Sequence, residues 1–213
     1  MRSSIPLPGN PWPHDMVITV DDDSQTLLEL LWIREAWQLR PAGDDLPPAL
    51  VDTPGLMHGT HGSAAPIEEW QDAWPGIWAA ALHHAGTLPD PDILDRLHDS
   101  DTGSEERGRL LRELVGPSWR DELGPEAMAE EAEQWMDARF VDRVGRAGRT
   151  VDEQPEHYAL DALITAWRSG LTKIVEIPCR GTFTRRIGTH TILVTAETRG
   201  DRERYRTSLS EFR

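Results

Sequence analysis

Between Ser24 and Leu39 the chain carries apolar residues on nearly every side of a potential helix: Leu27, Leu28, Leu30, Leu31, Trp32, Ile33, Ala36 and Trp37. Only Arg34, Glu35 and Gln38 form a polar strip. A helix apolar around most of its girth has to be covered on several sides, so it must run through the middle of a fold. No stretch approaches the ~20 consecutive apolar residues of a membrane span. The expectation is a globular protein, and 213 residues suffice to bury a core around such a helix.

The elements around it follow from periodicity and punctuation. Four prolines precede Met16, so residues 1–15 read as an extended arm with Trp12 as its one large anchor. The same segment lacks the apolar run of a secretory signal. Met16–Val20 reads as a strand, and Asp21-Asp22-Asp23-Ser24 as the turn and N-cap ahead of the central helix. Residues 40–66, rich in Pro, Gly and Asp, predict a long loop of the kind that is often functional or mobile. A helix follows from Ile67 to Gly86 with Trp70, Trp74 and Trp78 on one stripe, and Pro75 predicts a kink or restart within it. Further helices are expected at 91–98, 105–115, 125–144 and 155–169.

After Gly170 the pattern changes to strands at 172–177, 181–187 and 190–196, with Gly188-Thr189 as a two-residue hairpin turn, and then a last helix at 201–212. The fold class read from this is α+β: a mostly helical single domain over 16–213, ending in a small antiparallel β-meander and a terminal helix.

Charge divides the chain unevenly. From Thr165 onward ten basic residues face five acids, so that β-rich end carries +5, and the preceding 164 residues carry −20 of a formal total of −15. This excludes general nucleic-acid binding, which needs phosphate neutralisation. An acidic helical body (16–164) and a basic end (165–213) point instead to a protein partner or a small anionic ligand.

The basic hairpin supplies the first candidate site. A two-residue turn would set Ile187 opposite His190, Arg186 opposite Thr191 and Arg185 opposite Ile192, with Arg185 on the core face beside Phe183, Ile192 and Val194. Arg180, Arg185, Arg186 and His190 are the expected anion- or partner-binding residues, because a guanidinium fork matches phosphate and carboxylate.

The alternative site is a metal centre. His58 and His61 sit three apart in a Gly-rich loop after Asp52, and His83, His84 or His98 could complete a catalytic zinc set. That spacing matches no zinc motif, and the chain has no HExxH pattern. Cys179 is the only cysteine, which excludes an internal disulfide and fits a reducing cytoplasm. It lies beside Arg180, which would lower its thiol pKa, and His190 would be its base. The chain has no Walker A loop, no GxGxxG and no GxSxG. Nine tryptophans suggest a core built on indoles, and the Trp70/Trp74/Trp78 stripe is read as core. Together these features predict a cytoplasmic, non-enzymatic binding or accessory protein without a cofactor, the competing reading being a metal-dependent hydrolase.

Overall fold

In the computed structural model, which describes residues 12–57, 65–88, 90–147 and 154–212, a four-stranded sheet separates two layers of helix. The strands are β1 (Thr19–Asp21), β2 (Lys173–Ile177), β3 (Thr184–Ile187) and β4 (Thr191–Thr195). Their order is β1-β2-β4-β3, with β1, β2 and β4 parallel and β3 antiparallel to β4. The domain is α+β as expected, but the sheet is mixed and is not a meander. The first strand, far away in sequence, joins its edge and makes β2 an interior strand.

β2 and β4 are buried almost throughout. Alternation gives each sheet face its own core. Val175, Ile177, Ile187 and Leu193 meet α1 (Gln25–Ala36) and α2 (Ile67–Gly86) on one face. Ile174, Ile192 and Val194 meet α7 (Pro155–Tyr158), α8 (Leu160–Arg168) and α10 (Arg202–Ser210) on the other. Trp12 and Met16 pack into the second cluster, with the Trp12 indole donating to the Met16 carbonyl at 3.0 Å. The rest of the expected arm, residues 1–11, lies outside the described residues.

α1 is buried on all sides, as its composition requires. It stops at Ala36, three residues early, because Gln38 takes a left-handed φ of 53° and the Leu39 N–H turns back to the Arg34 carbonyl. α2 runs on as one helix through Pro75, so of the kink or restart expected there the restart does not occur. Its tryptophans anchor it on both sides of the proline: Trp74 donates to the Leu30 carbonyl at 2.9 Å and stacks on Trp78 at 5.2 Å, while Trp70 meets Trp37 edge-on. This packing offsets the ~3 kcal/mol cost of a mid-helix proline.

Beyond α2 come α3 (Ile93–Asp99), α4 (Glu105–Val115), α5 (Arg120–Leu123), a short 3-10 turn and α6 (Glu130–Ala147). The single helix expected at 125–144 is therefore broken at Met128–Ala129, and Phe140 and Val144 on α6 are exposed. α9 (Ala196–Gly200) bridges β4 and α10.

The hairpin register differs from expectation by one residue. Ile187 pairs with Thr191, Arg186 with Ile192 and Arg185 with Leu193, so the turn contains Gly188, Thr189 and His190. His190 is held out of the ladder: its carbonyl accepts from the Thr172 and Lys173 amides, and its Nδ1 lies 3.0 Å from the Gly170 carbonyl. Gly188, at φ 63°, sits so close to α2 that an added Cβ would meet the Gly86 carbonyl oxygen at 2.9 Å. A one-residue slip exchanges faces. Arg185 therefore shares a face with Leu193, and Arg186 lies on the opposite face with Ile192.

Candidate ligand cleft at the strand ends

Three arginines decide the shape of the loop after α1. Arg34 donates to the Pro47 and Pro48 carbonyls, both at 2.6 Å. Arg180 reaches the Leu50 and Val51 carbonyls and the Thr53 hydroxyl, and Arg185 reaches the Asp45 carbonyl. Residue 50 also bridges Cys179. Residues 45–53, part of the long loop expected at 40–66, are thus strapped across the end of β2.

The four residues expected to bind an anion divide into two pairs. Arg180 and Arg185 hold the 45–53 loop. Arg186 lies over the Phe212 ring at 4.4 Å and donates to Thr189, and His190 bonds to Gly170. They do not share one surface. Cys179 is fully buried, and that burial pushes its thiol up to about 12, against the small opposing pull of Arg34. The expected activation by Arg180 is overturned, since the Arg180 side chain turns to the loop. His190 stands at the other end of β2, roughly 20 Å away along the strand.

His58 and His61 lie outside the described residues. His83 and His98 are exposed, and His84 Nε2 is 3.0 Å from the Glu113 carbonyl. Among the described residues no three His, Cys, Asp or Glu side chains are placed to hold a metal ion.

The stronger concentration of charge lies at the carboxyl ends of the parallel strands. The chain leaving β1 enters α1 on one side of the sheet, and the chain leaving β4 enters α9 and α10 on the other. Open α/β sheets bind ligands at such a divergence. Here a cleft of about 330 Å³ is lined by Val51, Asp52, Arg139, Asp142, Glu176 and Pro178. Glu176 forms its floor and is almost wholly buried. Its carboxylate accepts from Arg199 at 2.7 Å, and Arg199 forks onto both oxygens of fully buried Glu156 at 2.8 and 2.9 Å. Tyr205 of α10 donates to the same Glu156 at 2.9 Å.

Burial alone would raise the Glu156 carboxyl, but the hydrogen bonds and charge of Arg199 outweigh it and hold the carboxyl below its ordinary value. Burial likewise opposes the charge on Arg199, and its two carboxylates more than compensate, holding it firmly protonated. Tyr205 is pushed well up, first by burial and then by Glu156, so it stays a donor.

At the cleft mouth the balance is acidic. Asp52 and Asp142 have no ion-pair partner among the described residues, while Arg139 is stacked on Trp135 at 5.1 Å. Sequence reading passed over Glu176, Glu156, Arg199, Arg139 and Asp142. One signal was present: Glu176 is a lone acid in the otherwise apolar run Ile174–Pro178, and a carboxylate there is rarely fully buried unless paired.

Comparison with known protein families, with curated proteins and with solved structures returns no match. No helix among the described residues is long and apolar enough to cross a membrane.

Proposed function

We propose that the protein is a non-enzymatic binding protein that receives an organic cation, a primary amine or guanidinium, in the strand-end cleft. The observation that carries this reading is the charge of the cleft: Asp52 and Asp142 at the mouth, without an ion-pair partner among the described residues, and a buried carboxylate, already tied to Arg199, at the floor. Val51, Pro178 and Ala196 supply apolar wall. A net charge of −15 would draw cations toward it. The same head group occurs on free amines and on the lysine and arginine side chains of a protein partner.

Calorimetric titration with agmatine, with putrescine and with an arginine-rich peptide tests the reading and separates the two sources. Binding of at least one, weakened about tenfold or more by Asp142→Asn, is the expected result, on the scale of one charge-assisted hydrogen bond. No binding by any of the three would overturn it. Elemental analysis of untagged protein tests the competing reading, because a stoichiometric metal would favour the hydrolase built on His58 and His61.

A further inference from the structure

A second and larger cleft, about 590 Å³, opens between the first turn of α1, the end of α2 and the end of α4. This volume lies within the range of small-molecule sites. Its lip is apolar and exposed: Leu88, Leu114 and Val115 stand in solvent, Val115 by 64%. Its inner wall is polar, with Lys173 and Trp119 among the lining residues.

The charges along this cleft are unequally satisfied. Asp21 takes Lys173 at 3.0 Å, and Glu29 takes the Trp119 indole N–H at 2.6 Å. Asp90 takes Arg96 at 2.6 Å, and Glu113 takes Arg109 at 3.4 Å. Every acid of the lining therefore has a donor. Arg120 is the exception: its guanidinium lies 4.5 Å over the Trp119 ring and has no carboxylate partner among the described residues. The indole beneath it is buried and fixed, so the fork is held in place before any ligand arrives.

We propose that this cleft binds an amphipathic organic anion, with a carboxylate or sulfonate on Arg120 and an apolar body against Leu88, Leu114 and Val115. It is a second site, independent of the strand-end cleft and opposite to it in charge preference. Such a ligand gives Arg120 the carboxylate partner it lacks among the described residues and covers the apolar lip in a single step, whereas a cation would meet acids that already accept hydrogen bonds.

The test uses the fluorescent anion 8-anilinonaphthalene-1-sulfonate on the full chain, with decanoate and decyltrimethylammonium as competitors below their micelle concentrations. The expected results are saturable fluorescence, displacement by decanoate and not by the cationic amphiphile, and about tenfold weaker binding in Arg120→Gln and in Val115→Asp. Both positions are exposed, and a thermal melt of each variant confirms folding. Val141→Asp, on the separate exposed apolar stretch of α6, is the control and should bind the dye as the parent does. Equal displacement by the cationic amphiphile, or unchanged binding in Arg120→Gln, overturns the proposal. So does a loss in Val141→Asp as large as that in Val115→Asp, because the dye would then report general stickiness.

Discussion

The two faces of the sheet solve the same problem with different chemistry. On the α1/α2 face, tryptophans and aliphatic side chains fill the space; the Trp74 and Trp37 indoles donate to the Leu30 and Ala127 carbonyls, while those of Trp32 and Trp78 have no hydrogen-bond partner among the described residues. On the α7/α8/α10 face, a buried ion cluster of Glu156, Arg199 and Glu176 with the Tyr205 hydroxyl ties together α7, β2 and the consecutive helices α9 and α10. The first strategy loses stability in proportion to the volume removed. The second is sensitive to which partner is removed, because a buried charge without its counter-charge is costly.

The largest effect is expected on the first face. Trp74→Ala removes a stacked indole and its hydrogen bond and should cost about 4–5 kcal/mol, read by urea denaturation. A loss below about 1 kcal/mol would show that this face can collapse around the hole.

Arg199→Met comes next, at about 3–4 kcal/mol, because it strands two buried carboxylates. The triple change Glu156→Leu, Glu176→Leu and Arg199→Met should cost less than Arg199→Met alone. If the triple variant is the worse one, the cluster stabilises the fold outright and the contrast between the faces disappears.

Acid should separate the faces more gently. The Glu156 carboxyl is held below its ordinary 4.5 in the folded protein, so its contribution is fully present above that value and is lost as pH falls through the lowered one. Hydrogen exchange followed downward from pH 5 should therefore show α10 amides losing protection before those of α1 and α2. Simultaneous loss on both faces would count against this assignment.

The smallest effect is expected for Arg185→Gln. Its partner Asp45 is mostly exposed, and the ion pair is long at 3.8 Å, so a cost under about 1 kcal/mol is expected from thermal melts.

The contrast also explains what could be read from the chain. The α1/α2 face was legible because apolar periodicity reports burial directly: Leu27 to Ala36 and the Trp70/Trp74/Trp78 stripe lie where the pattern puts them. The ion cluster was not, because its members are separated by sequence distances that no local pattern encodes. Glu156 and Arg199 look like ordinary surface residues until β2 and β4 bring their helices together. The hairpin itself forms where expected, and its register differs for another reason. Its register depends on His190 being drawn to Gly170 and on α2 pressing against Gly188, both tertiary contacts invisible to turn statistics. The Arg180 and Arg185 side chains followed suit, because carbonyls of the 45–53 loop were available and no local feature of the sequence announces them.

The parallel pairing of Thr19 with Lys173 has a consequence for synthesis. On the ribosome β1 emerges well before β2, the strand it pairs with, so its sheet cannot exist until β2 has left the exit tunnel. Throughout that interval α1, apolar around most of its girth, can pack against α2 and the Trp119–Ala132 segment but not against the sheet. Loop closure over such a span is slow compared with local pairing, so the segment from Pro155 to Phe212, with its own strands and helices, should assemble first and receive β1 last. The nascent protein therefore carries its most aggregation-prone helix for longest without a complete cover, and a holding chaperone would find its footing there.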